Sequence, residues 1–383
     1  ADFVEYYNEN GITNGVWISG FFGSGKSHLL KILSYVLENK KYNGYHLGEL
    51  FAEKITDDIK LKGDIQSSLR KINSESILFN IDQQAQITTK SDENAILKVF
   101  YKVFYDHQGF YGFQPHVAAF EESLVRDSKY EAFKQEFEKV YGQPWTEARK
   151  DYIKPQINDA IAQSCAVVYS ADPEQYKNYL FKWQSQHKQS IEDFAMKVSE
   201  YINARGKNFR LNFFVDEVGQ FIAERTKLML NLQTLAETLY TKCNGNSWVM
   251  VTSQEDLENL VGDDSKVQSD DFSKIQGRFK VRMPLTSSSV DEVIEKRLLE
   301  KSDDGVPVLT RLFKSEEENI RTLISFSNSG IQFRGYKDEH DFVNKYPFLP
   351  YQFDLFQQCI KSLSRHNVFQ GQHQSVGERS MLG

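Results

Sequence analysis

A chain of 383 residues, 40% hydrophobic and 13% aromatic, carries enough apolar surface for two or three folded domains and does not have the composition of a disordered protein. Its net charge of −7 provides no overall basic field for nucleic acid, and no run of about 18 apolar residues marks a membrane span. Cys165, Cys243 and Cys359 are far apart and odd in number, with no Cys/His spacing for zinc, which reads as reduced thiols in a cytoplasmic protein. A chain that opens at Ala1 without Met and stops at Gly383 in a helix-like stretch is expected to be a fragment of a longer one.

The first element in chain order is also the most informative. In "GVWISGFFGSGKSHLLKIL" (Gly15 to Leu33), Val16-Trp17-Ile18 is a short buried-strand run, and Leu29, Leu30, Leu33, Val36 and Leu37 form a helical stripe. The bend between them fits G-x-x-x-x-G-K-[ST] as Gly20-Phe21-Phe22-Gly23-Ser24-Gly25-Lys26-Ser27. Glycines let successive N–H groups turn onto one anion, and the following helix aims its N-terminal partial charge at the same place. Lys26 is expected to reach the β- and γ-phosphates and Ser27 to ligate Mg²⁺, with Phe22 and His28 at the edges of the same nucleotide site.

"SILFNIDQ" (Ser76 to Gln83) predicts a second buried strand. From about 90 to 205 the pattern turns helical, with stripes at Ile96, Phe100, Val103 and Phe104, then Tyr130, Phe133 and Phe137, then Ile191, Phe194, Val198 and Ile202. This reads as a helical insertion whose aromatics are core. Strands return at "FRLNFFVDEVG" (Phe209 to Gly219), "SWVMVTSQ" (Ser247 to Gln254) and "FKVRMPL" (Phe279 to Leu285), and Leu228, Leu232, Leu235 and Leu239 mark a helix between the first two. Beyond Leu285 the pattern is helical again: Ser289 with Glu292 forms a capping box, and another helix is expected over Tyr351 to Leu363. The fold class is therefore α/β, a five-stranded mainly parallel sheet, with a nucleotide-binding domain over 1–285 and a helical lid over 286–383.

The strand ending in Asp216-Glu217 places two carboxylates where open α/β sheets bind ligands. Asp216 is expected to hold Mg²⁺ through water and Glu217 to act as general base on the attacking water. At the end of "VMVTSQ", Thr252, Ser253 and Gln254 are candidates to orient that water, with Ser253 and Thr252 ahead. Arg278, just before the last strand, is a candidate to reach a neighbouring subunit's γ-phosphate. Arg282 is expected to sit where side chains pack. Arg379, in "SVGERSML", is a candidate to fold the lid over the phosphates.

Phosphate loop, "VDE" strand, polar strand end, pre-strand arginine and helical lid together resemble an AAA+ ATPase, the arginine in G-x-R being similar to the sensor-2 arginine of the origin-recognition branch. More narrowly, "GFFGSGKSH", "FFVDEVGQFI", "GRFKVRMPLTSSSVDEVIEKRLLEK", "YPFLPYQFDLFQ" and "GERSML" resemble the large P-loop ATPases of BREX phage-defence systems (BrxC/PglY type). The resemblance implies ATP and Mg²⁺ as ligands, an ATPase subunit of a DNA-modifying, phage-excluding complex, other BREX components as partners, self-association through AAA+ interfaces, and DNA contact through the complex. It also implies Walker A at Gly20 to Ser27 and Walker B at Asp216 and Glu217. The sensor-1, arginine-finger and sensor-2 roles fall on Ser253 or Thr252, Arg278 and Arg379. The long insertion departs from a minimal AAA+ core. A nucleotide-binding scaffold with negligible hydrolysis is the alternative reading.

Overall fold

The computed structural model describes residues 2–9, 13–20, 24–85, 92–186, 189–222, 226–254, 277–285, 294–296, 298–324 and 335–365. In chain order it starts with α1 (Asp2–Asn8), β1 (Gly15–Gly20) and α2 (Lys26–Glu38), then the hairpin β2 (Lys41–Tyr42) and β3 (Tyr45–His46). There follow α3 (Leu47–Glu53), α4 (Ile59–Lys71), β4 (Asn73–Asn80) and α5 (Ile81–Gln84). A helical run comes next: α6 (Ala95–His107), α7 (Pro115–Arg126), α8 (Tyr130–Tyr141), α9 (Trp145–Ala148), α10 (Pro155–Tyr169), α11 (Tyr179–Gln186) and α12 (Ile191–Asn203). Then come β5 (Phe209–Asp216), α13 (Val218–Ile222), α14 (Thr226–Lys242), β6 (Ser247–Ser253) and β7 (Val281–Leu285). The last described elements are α15 (Gly305–Ile324), α16 (Glu339–Lys345) and α17 (Pro350–Arg365).

The protein is α/β. Five strands form one sheet in the order β4-β5-β6-β1-β7, and β4–β5 and β5–β6 pair in parallel, with Asn80 opposite Asp216 and Val215 opposite Val251. Strand β5 is buried along nearly its whole length, the polar Arg210 and Asn212 included, as a strand covered on both faces must be. Leu211, Phe213 and Val215 join Phe100, Phe194 and Leu232, from α6, α12 and α14, in the main core. The opposite parity meets α1: the Asn212 amide donates to the Tyr7 hydroxyl at 3.1 Å, and Trp248 lies edge-on to Phe3. Arg210, also of that parity and buried, donates to the Tyr7 carbonyl, and its guanidinium lies 4.5 Å from the Tyr7 ring centroid.

The expected helical insertion is resolved into two parts. Helices α6 and α12 belong to the sheet's own core, whereas α7 to α11 build a separate one from Phe120, Phe133, Phe137 and Trp145. In that second core Glu121 is fully buried, and among the described residues every bond it accepts comes from within the insertion. Its carboxylate meets Arg149 at 2.7 Å, the Trp145 indole at 2.7 Å, the Tyr130 hydroxyl at 2.9 Å and the Tyr111 amide at 2.6 Å. A buried carboxylate is tolerable only when paired and hydrogen-bonded in this way.

Along β4, Glu75 ties α6 and α12 to the sheet edge, accepting from Tyr201 at 2.6 Å and Arg205 at 3.2 Å and meeting His107 at 2.8 Å. Burial pushes its carboxyl up, but bonds from Tyr201, His107 and Arg205 outweigh it and hold the group below its ordinary 4.5. A lowered carboxyl adds stability above its unfolded pKa and loses it as pH falls through the folded one. Glu75→Gln is therefore expected to cost about 1 kcal/mol at neutral pH, with the gap to wild type closing progressively below pH 4.5. Urea unfolding on both sides of that pH checks this; an equal gap at both would exclude the carboxylate's charge as the cause.

The chain divides into two compact units, one of residues 1–17, 30–253 and 257–282, the other of 18–29, 254–256 and 283–383. The second therefore groups residues 18–29, with the glycine-rich bend, and the C-terminal residues, where the sequence alone suggests a single boundary at 285. Its helical part packs around Phe313, Tyr336, Phe342 and Val343, with Ile294 against Phe353. The residues of the expected capping box, Ser289 and Glu292, lie outside the described residues.

Candidate functional site

In the second unit the apolar run of β1 ends at Gly20. A Cβ there would lie 2.7 Å from both the Leu285 carbonyl oxygen and Ser24 Oγ, so only glycine fits. Gly25 has φ +89°, the left-handed region that glycine adopts without penalty, and nothing lies within 4 Å of the place where its Cβ would be. Lys26 opens α2, and its Nζ donates to the Gly20 carbonyl at 2.6 Å, turned back over the loop. Ser24 Oγ is buried, with no hydrogen-bond partner among the described residues. Ser27 and His28 are exposed on the first turn of the 13-residue helix. An orphan hydroxyl, open space at Gly25, a lysine and a helix N-terminus are the donor set a phosphate requires. Phe22 and Gly23 lie outside the described residues.

In the first unit, β4, β5 and β6 end side by side, and Asn80, Asp216, Glu217 and Thr252 at those ends form one hydrogen-bonded cluster. Thr252 donates to Asp216 Oδ1 at 2.5 Å and accepts from the Glu217 amide at 2.9 Å, so a single buried hydroxyl fixes both acidic residues. The same amide reaches Asp216 Oδ1 at 3.2 Å. Glu217 has φ +63°, an uncommon conformation for a non-glycine residue that costs about 1–3 kcal/mol. It turns the carboxylate onto Asn80, whose Nδ2 donates to Glu217 Oε2 at 2.6 Å. Among the described residues Asp216 Oδ2 accepts no hydrogen bond. No group of three or more His, Cys, Asp or Glu suited to a metal occurs among the described residues. A hard cation here would depend on one carboxylate, a hydroxyl, waters and phosphate oxygens, which is the usual setting of Mg²⁺.

Asn80 is absent from the candidates that the sequence supplies. Its signal is a polar residue closing the apolar run "ILFN"; its Oδ1 caps α5 by accepting from the Gln83 amide at 3.1 Å, and the parallel register, Asn80 opposite Asp216, brings its Nδ2 to Glu217. Of the two hydroxyls favoured at the end of β6, Thr252 meets the acids. Ser253, which the sequence ranks level with it, points the other way: a Cβ on Gly219 would lie 2.1 Å from Ser253 Oγ. Strand alternation forces this, since neighbouring side chains face opposite sides of a sheet.

Arg278 is half-buried in the first unit, held by its own chain. Its Nη2 donates to Glu237 Oε1 at 2.6 Å, its guanidinium is 5.6 Å from the Tyr240 ring centroid, and its carbonyl accepts from Thr13 Oγ1 at 2.5 Å. Arg282, expected to be packed, is instead exposed: β7 is an edge strand and its buried and open positions alternate. Gln254 is half-buried, and Arg379 lies outside the described residues. Cys165 and Cys243 are buried thiols, each pushed up to about 12 by burial, which makes them poor nucleophiles. No helix among the described residues is long and apolar enough to cross a membrane. No family model and no solved structure matches the chain.

Proposed function

We propose that this chain is an ATP-hydrolysing AAA+ subunit whose nucleotide state drives conformational change and assembly within a bacterial BREX anti-phage defence complex. The observation that carries the reading is the Thr252 hydroxyl, shared between Asp216 and the Glu217 amide at the end of a parallel sheet. The strand order, with β6 between β1 and the acidic strand β5, supports it, being the order of AAA+ P-loop proteins. So do the orphan Ser24 Oγ and the open Gly25. In this reading residues 286–383 are the lid, other BREX components are the partners, the subunit self-associates, and DNA is met through the complex.

The residues divide the work by chemistry. Loop amides, Lys26 and the N-terminus of α2 would bind the phosphates, and Ser27 and Asp216 would hold Mg²⁺, which neutralises charge on the β- and γ-oxygens. Thr252 keeps Asp216 and Glu217 in register. Glu217 takes a proton from the attacking water once its carboxylate is free of Asn80. A trans role for Arg278 requires it to leave Glu237.

Removing the Thr252 hydroxyl deprives a carboxylate of a hydrogen bond of about 1.5–3 kcal/mol. Thr252→Ala is accordingly expected to lower turnover by about 10- to 100-fold with nucleotide affinity changed by less than about 3-fold. Steady-state kinetics together with direct ATP binding check it; unchanged turnover would remove the hydroxyl from the mechanism.

The bond from Asn80 to Glu217 favours one second reading, a nucleotide-held scaffold with negligible hydrolysis, because it occupies the base. ATP hydrolysis measured across a wide range of protein concentration, with Glu217→Gln as blank, separates the two. Specific activity that climbs with concentration supports the ATPase. Tight binding with a rate no higher than the blank supports the scaffold, and no ATP binding overturns both.

A further inference from the structure

The hairpin β2–β3 is used by nothing described above. Asn43 (φ +48°) and Gly44 (φ +89°) form the two-residue turn that matches the twist of paired strands, and Lys41 pairs with His46 and Tyr42 with Tyr45. Its base is rigid. The His46 ring and the Gly48 amide both bond to Asn39, and a Cβ on Gly48 would lie 2.6 Å from the Val36 carbonyl oxygen. Its tip is bare: residues 40–46 are all exposed, with Tyr42 at 66% and Tyr45 at 67%.

Cross-strand tyrosines ordinarily stabilise such a ribbon by packing on each other. These do not. Among the described residues neither ring meets another ring or a cation, and neither hydroxyl has a hydrogen-bond partner. Two rigidly mounted aromatic faces are thus left open side by side. From Asn39 to Gly48 there is no acidic residue, whereas Lys40, Lys41 and His46 flank the pair. Lys40 meets Glu38 at 2.7 Å, and Lys41 has no acidic partner among the described residues. One turn before Asn39, α2 repeats the pattern, with Lys31 5.9 Å from the ring centroid of the half-exposed Tyr35.

We infer that the β2–β3 hairpin is a docking surface for single-stranded nucleic acid, with bases stacking on Tyr42 and Tyr45 and Lys41 meeting the phosphate backbone. Every base offers a π-face, so the surface is tolerant of sequence, and the rings cannot reach bases stacked inside a duplex. The inference is independent of the nucleotide reading, since none of these residues belongs to that site.

Fluorescence anisotropy of a labelled oligothymidine of about 20 nucleotides, with a duplex of equal length as comparison, tests it on the chain as it stands. The single strand is expected to bind more tightly than the duplex. Tyr42→Ala and Tyr45→Ala should each weaken it by about 5- to 100-fold. Tyr42→Phe and Tyr45→Phe should stay within about 2-fold of wild type, since stacking needs the ring and not the hydroxyl. Lys41→Ala should make the salt dependence shallower by about 0.7 in the log–log slope. The affected positions are exposed, and unchanged melting temperatures confirm folding. No binding by the wild-type chain, equal binding by the Tyr42→Ala/Tyr45→Ala double variant, or loss in the phenylalanine variants, which points to hydroxyl recognition as in a carbohydrate or protein partner, each overturns the proposal.

Discussion

Glu217→Gln is expected to bind ATP with affinity within about 3-fold of wild type while hydrolysis falls by at least about 100-fold. The substitution is nearly isosteric and removes one property, the capacity to accept a proton. What fixes the position survives it: the amide bonds to Thr252 and Asp216 belong to the main chain, and an amide oxygen still accepts from Asn80 Nδ2. The φ of +63° is a backbone feature that the substitution leaves in place. The loss should therefore appear in turnover and not in binding or melting temperature. Turnover and titration calorimetry on the same preparation decide it, and wild-type turnover in this variant would take Glu217 out of the base role.

The second large effect is in binding. Lys26→Ala is expected to lower ATP affinity by at least about 100-fold, because truncating one partner of a desolvated charge pair costs about 2–5 kcal/mol. In the structure the ammonium rests 2.6 Å from the Gly20 carbonyl, on the same loop whose amides would receive the phosphates. A ligand bearing several negative charges competes for that ammonium with the neutral Gly20 carbonyl, and a charge-assisted bond is the stronger of the two. The fold should tolerate the loss, since Lys26 occupies the first turn of α2 and buries no apolar core. Calorimetric titration with ATP and Mg²⁺ checks the affinity and a thermal melt checks the fold. Wild-type affinity would undo the phosphate-loop assignment and with it the proposed function.

Much of this architecture is legible in the residues. "GVWISG", "FRLNFFVD" and "SWVMVTS" are largely apolar segments of strand length, and each is a strand of the sheet. The stripes beginning at Ile96, Tyr130 and Ile191 are helices α6, α8 and α12, because a 3.6-residue repeat can bury one face only as a helix. Among the segments that left no such trace are short and polar ones. The strands β2 and β3 have two residues each, too few to show an alternation, and α4 interleaves lysines with its apolar positions.

Residue order alone supplies the chemistry available: a glycine bend before a lysine and a helix, and a pair of carboxylates at a strand end. It also determined that both stand where apolar runs stop, because burial of those runs leaves only their ends to polar residues. Tertiary structure decided which side chains answer those carboxylates. Thr252 and Ser253 are equivalent hydroxyls in the sequence, and the pairing of β6 with β5 turns one toward Asp216 and the other toward Gly219. Asn80 became a partner of Glu217 only through the register of β4 on β5, and Arg278 found Glu237 across 41 positions of sequence. Local pattern records what a residue can do and how often its neighbours are buried. Register and strand order, set by the summed packing of the whole sheet, decide which residue it faces.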